Sequence, residues 1–193
     1  MDLQHVNVKL LLDHPADADL ELLIPIFHSW IQGEVFDELL LDIADYRHVP
    51  AGPGVVLIGY QADYSVDNAN ERLGLRYNRK AVLDGSNQDR LAQAARAALH
   101  ACQRLTAEPS LGGKCHFNGH DVELFINDRL LAPNREATRD AVEQDFQIFF
   151  ERLFRGSEFS LTYESDPRRL FGVSAKASRS FSVEDLLANL AEG

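Results

Sequence analysis

The densest group of reactive side chains is Cys115-His116-Phe117-Asn118-Gly119-His120-Asp121, with a thiol, two imidazoles and a carboxylate close together. That donor set suits zinc. The spacing argues against it. Asn-Gly between alternating apolar and polar residues is a strong hairpin signal. A tight turn there puts Lys114, His116, Asp121 and Glu123 on one face and Cys115, Phe117, His120 and Val122 on the other. Three ligands then cannot converge, so no metal is expected.

The second group is the loop Asp45-Tyr46-Arg47-His48-Val49-Pro50-Ala51-Gly52-Pro53-Gly54. Its glycines let backbone N–H groups approach an anion, with Arg47 and His48 beside them. A phosphate loop, however, joins a strand to a helix N-terminus. This loop joins two strands, and Pro50 and Pro53 each remove a donor. It is neither a dinucleotide fingerprint nor a Walker loop, and no cofactor is expected.

Charge supplies the partner for that loop. The chain has 193 residues, 19 Lys plus Arg and 30 Asp plus Glu, for a net charge of −11. Such an acidic molecule repels a phosphate backbone or an anionic bilayer, so nucleic acid and membrane are not expected as partners. The bases are uneven. Residues 1–71 hold 13 acids and 2 bases, whereas residues 72–104 hold 2 acids and 7 bases: Arg72, Arg76, Arg79, Lys80, Arg90, Arg96 and Arg104. A hairpin from 55 to 79 would return Arg76 and Asn78 onto the glycine loop. The expected ligand-binding set is therefore Arg47, His48, Gly52, Gly54, Arg76 and Asn78. The expected function is non-catalytic binding of a small anionic molecule or a protein partner.

Two other readings compete. In one, an enzyme uses His48 as general acid/base, oriented by Asp45 and assisted by Arg76. In the other, the basic island of one subunit docks on the acidic N-terminal third of another, making a homodimer or larger assembly. Enzyme signatures are sparse: there is no Gly-x-Ser-x-Gly, His-Glu-x-x-His, Cys-x-x-Cys or EF-hand loop. The first residues resemble no secretory signal, and two cysteines make no disulfide scaffold, so a cytoplasmic location is expected.

The elements that must position these residues follow from periodicity. Val6, Val8 and Leu10 alternate with polar residues, predicting a strand over 4–12 that ends at the His14–Asp17 turn. Leu20, Leu23, Ile24, Phe27, Trp30 and Ile31 predict a helix over 18–32, with Pro25 as the awkward member. Strands follow near 39–44, 55–60 and 73–79. Ser86 and Asp89 form a capping box for a helix with Leu91, Ala95, Ala98, Cys102 and Leu105 inside. A strand near 122–126 precedes a helix with Phe146, Phe149, Phe150 and Phe154 as core. Strands at 159–163 and 170–175 and a short helix capped by Ser182 and Asp185 complete the chain. The fold class is α+β, a mixed, mainly antiparallel sheet with about four helices in the order β-α-β-β-β-α-β-α-β-β-α. A single compact domain over 1–193 is expected. Val8–Asp13 aligns with Val122–Asn127, so halves 1–107 and 108–193 suggest a pseudo-two-fold duplication.

Overall fold

Alternation along Val6–Leu12 makes strand β1, and all seven of its residues are buried. Burial on both faces puts β1 at the middle of a sheet. In the computed structural model, which describes residues 1–15 and 18–191, four α-helices and one eight-stranded sheet make up the α+β fold. Ala16 and Asp17, the end of the expected first turn, lie outside the described residues. The remaining strands are β2 (Leu40–Tyr46), β3 (Gly54–Gly59), β4 (Ala62–Asp67), β5 (Gly74–Arg79), β6 (Phe117–Ile126), β7 (Phe159–Tyr163) and β8 (Phe171–Ala177). Their spatial order is β2-β3-β4-β5-β1-β6-β8-β7, and every pair is antiparallel.

The helices are α1 (Leu23–Gln32), α2 (Asn87–Thr106), α3 (Glu136–Leu153) and α4 (Val183–Ala191). Pro25 is the third residue of α1, in the first turn, where a backbone N–H has no intrahelical acceptor to lose. The Ser86–Asp89 capping box opens α2 as the sequence predicts. At α4 the Asp185 backbone N–H donates to Ser182 Oγ and the Ser182 N–H donates to Asp185 Oδ2, both at 3.0 Å.

Register shows which side the helices cover. Val8 faces Tyr77 and Leu124 across the ladders, and all three join the aliphatic and aromatic core. Cys102 and the four phenylalanines Phe146, Phe149, Phe150 and Phe154 complete that layer. Lys9, the next residue of β1, faces Arg76 and Glu123 on the opposite side. The sheet thus has one helix-covered apolar face and one open polar face. Either side of the central β1·β6 pair the order repeats, β5 then β4 on one side and β8 then β7 on the other. Strands β2 and β3 are additional on the first side.

Two local expectations differ from the structure. Strand β4 was not anticipated, although Ala62, Tyr64 and Val66 alternate with Asp63, Ser65 and Asp67. Adding one strand reverses the direction of everything after it. The partner of β3 is β4, and Arg79 and Lys80 finish at the far end of the sheet from the Arg47–Gly54 loop: Lys80 Nζ donates to Gly59 O at 2.6 Å.

The Asn118-Gly119 hairpin is also absent. Residues 117–126 form a single strand, paired with β1 as Leu10↔Val122 and then Leu11↔Asn118, so residues 119–121 bulge. The physical reason lies upstream, where a 3₁₀ turn at Pro109–Leu111 and left-handed Gly112 and Gly113 leave no strand to fold back onto. Gly119 serves a close approach instead. A Cβ there would sit 2.1 Å from Phe181 O. Gly119→Ala should lower stability by about 1–3 kcal/mol, read from the urea midpoint. An unchanged midpoint would contradict that contact.

Candidate ligand-binding site

The structure divides the expected site residues between two places. Arg47 is held at the exposed turn after β2, where Nε and Nη2 grip the two carboxylate oxygens of Asp45 at 2.9 and 2.8 Å. That grip holds the Asp45 carboxyl down at about 2. Arg47 also reaches Glu21 at 3.7 Å. His48 is exposed, its ring 6.5 Å from that of Tyr46, and among the described residues no hydrogen bond joins it to Asp45. The acid–base pair of the enzymatic reading is thus not assembled. Gly54 has φ +66°, and a Cβ there would meet Val66 O at 2.0 Å; Gly52 O accepts from the Asn68 N–H at 3.1 Å. Both glycines allow strands and loop to come close.

Arg76 and Asn78 lie elsewhere, on the open face of the sheet. Lys9 at the centre of that face is 1 % exposed and forms a 2.5 Å ion pair with Asp67. Arg76 lies 3.7 Å from the same carboxylate and 5.2 Å from the Phe125 ring centroid, so it crosses over β1. Arg72 reaches both Asp121 and Glu123 at 2.8 Å. Asn78 Oδ1 accepts from Asn127 Nδ2 at 3.3 Å. The charges of this face satisfy one another. Burial pushes the Glu123 carboxyl up, against the pull of Arg72 and Lys9.

A different part of the basic island lines a recess on the helix side. Arg96, His100 and Arg104 stand one turn apart on the outward face of α2. Among the described residues neither arginine has a carboxylate partner. Arg96 Nη2 donates to Leu190 O at 2.9 Å, and Arg104 Nη2 to Val35 O at 2.8 Å. Facing them is the Val35–Glu38 segment between α1 and β2. Two adjoining recesses of about 400 and 370 Å³ share Phe36 and Asp37 as lining. Phe36 is fixed by stacking on Tyr64 (4.9 Å between centroids) and by the Arg104 guanidinium 5.4 Å from its own centroid.

The inner wall of this groove is a closed polar cluster. Tyr77 OH donates to Glu38 Oε1 at 2.8 Å and accepts from Gln93 Nε2 at 2.9 Å, while Tyr64 OH donates to Glu38 Oε2 at 3.2 Å. Arg79 stands 3.6 Å from Glu38. Burial raises both phenols, Tyr77 to about 12, so they stay protonated donors. Behind this wall Gln61 Oε1 and Gln93 Oε1 are buried without a hydrogen-bond partner. The groove itself combines a cationic wall with the exposed Asp37 carboxylate, which lines both recesses. The α2 stripe was present in the sequence at four-residue spacing, but the expected site followed the strand Arg76–Lys80 instead. A separate cavity of about 180 Å³ beside Leu12, Leu111 and Phe117 is mostly apolar and gathers none of these cations.

Comparison with protein families, curated proteins and solved structures gives no match to this chain.

Two measurements check the charge layout of the open face. Asp67→Ala leaves Lys9 buried without its partner and should cost about 3–5 kcal/mol in urea unfolding; a loss under about 1 kcal/mol would show that the pair is not desolvated. Glu123 holds its proton more tightly in the folded than in the unfolded chain, so its contribution to stability rises as pH falls from its raised value toward the ordinary one. The stability of the parent relative to Glu123→Gln should therefore shift in the parent's favour on acidification from neutral to about pH 5. A difference that stays flat or moves the other way would contradict the raised value.

Proposed function

We propose that this protein is a non-catalytic binding protein for a small organic anion that also carries hydroxyl or amino groups, held in the groove between α2 and the Val35–Glu38 segment. The observation that carries the reading is the Arg96–His100–Arg104 stripe. Among the described residues its two guanidiniums hydrogen-bond only to backbone carbonyls, in a molecule of net charge −11. Elsewhere in the basic island, Arg72, Arg76, Arg79, Lys80 and Arg90 each have a carboxylate within ion-pair distance. A guanidinium without a carboxylate is available to a phosphate or carboxylate head. The exposed carboxylate of Asp37, which lines both recesses, would accept from ligand donors. That demand distinguishes a hydroxylated anion from a bare inorganic one.

A stripe near the end of α2 also complements the helix dipole, but that effect requires no recess in front of it. Two further observations accord with this setting. No helix among the described residues is long and apolar enough to cross a membrane. Cys102 and Cys115 are both buried free thiols, which suits a reducing compartment such as the cytoplasm.

Ribose 5-phosphate, with inorganic phosphate as comparison, is a suitable probe. It should raise the melting temperature of the parent more than phosphate does at equal concentration, and added salt should weaken the effect. Arg96→Ala combined with Arg104→Ala should abolish the shift, and Arg76→Ala should retain it. A double variant that responds like the parent, or loss of the response in Arg76→Ala alone, would remove the groove as the site.

A further inference from the structure

The exposed apolar side chains are not scattered. Leu39 (59 % exposed), Leu41 (52 %), Tyr46 (44 %) and Val49 lie along β2 or its flanks, and Tyr60 (69 %) adjoins them through its N–H bond to Leu39 O. Strand β2 is an outer strand of the sheet, so alternate backbone N–H and C=O groups lack a ladder partner. It contains neither Lys nor Pro, the usual guards of such an edge. The segment is also acidic. Glu34, Asp37, Glu38, Asp42 and Asp45 fall within 34–46, which holds no base. Among the described residues Glu34, Asp37 and Asp42 have no cationic partner.

We infer that β2 is a docking edge for an extended segment of a partner protein that alternates basic and apolar residues, added as a ninth strand. Charge selects this occupant. A second copy would bring one acidic edge against another, whereas Lys or Arg side chains would meet Asp42, their stems lying along Tyr46 on the same face, and apolar ones would cover Ile43 on the other. Asp42 also controls the backbone. Its Oδ1 accepts from the Ile43 N–H at 2.8 Å and so occupies one donor the edge would offer. An incoming cation draws that carboxylate away and frees the amide for strand pairing. The bulge between Leu40 and Asp42 further blunts the edge toward less specific partners. At the other outer strand, β7, the nearby bases Arg139, Arg168 and Arg169 are each paired with a carboxylate, Glu143, Asp166 and Glu164. Arg139 lies over the Tyr163 ring at 4.5 Å.

The test uses the full chain, a ten-residue peptide of alternating Lys and Val, the same peptide N-methylated at alternate positions, and a Glu/Val version. The Lys/Val peptide should slow hydrogen exchange at the Ile43 and Asp45 amides and leave β7 unchanged. The N-methylated and Glu/Val peptides should give no such protection. Asp42→Ala, an exposed change, should weaken binding by about tenfold. The inference is overturned by equal binding of the N-methylated peptide, which would mark adsorption by charge alone. Protection appearing on β7 would also overturn it, as would a concentration-dependent dimer whose β2 amides are protected without peptide.

Discussion

One constraint organises the molecule: all four helices pack on a single face of an eight-stranded sheet. The apolar alternation of every strand must point that way, and β1, flanked on both sides, is buried in both directions. On the helix side Val6, Val8 and Leu10 meet Leu91, Ala95 and the aromatic layer. On the other side no helix among the described residues buries apolar groups, yet the neighbouring strands still shut Lys9 away from water. A buried ammonium is tolerable only with a close counter-charge, which Asp67 supplies from two strands away. Arg76, Arg72, Glu123 and Asp121 extend that pairing outward, so the open face becomes a self-neutralised polar layer.

This internal use of charge leaves few cations for ligands. The acidic N-terminal third and the basic middle are largely matched to each other: Lys80 with Asp63, Arg79 with Glu38, Arg76 with Asp67. What escapes is set by helix geometry. On the outward face of α2, Arg96 and Arg104 end on carbonyl oxygens instead of carboxylates. The loop of Arg47, Gly52 and Gly54 contributes differently. It brings the β2–β3 turn against β4 and links, through Arg47 and Glu21, to the 3₁₀ turn ahead of α1.

Much of the architecture was legible in the sequence because it rests on local signals. The β1 alternation, the Ser86–Asp89 and Ser182–Asp185 caps and the phenylalanine stripe of α3 each specify an element without reference to the rest of the chain. The failures came where tertiary context decides. Asn118-Gly119 favours a hairpin in isolation, but β1 already claims Phe117 and Asn118, and Phe181 closes over the glycine. Strand β4 carries a clear period of two, and an expectation without it turns Arg79 and Lys80 toward the wrong end of the sheet. Most of the candidate groove was hidden for a related reason. Its residues come from α2, from the segment before β2 and from the β3–β4 turn, and only the fold brings these together.

The most direct measurement is a heteronuclear NMR titration of the full chain with ribose 5-phosphate, following backbone amides and arginine side-chain N–H groups. Saturable shifts should concentrate at Phe36, Asp37, Gln93, Arg96, His100 and Arg104, with the Arg47–Gly54 loop and the Arg76 strand silent. Shifts confined to that loop or to the open sheet face, or no saturable shift anywhere, would contradict the assignment of the groove as the anion site.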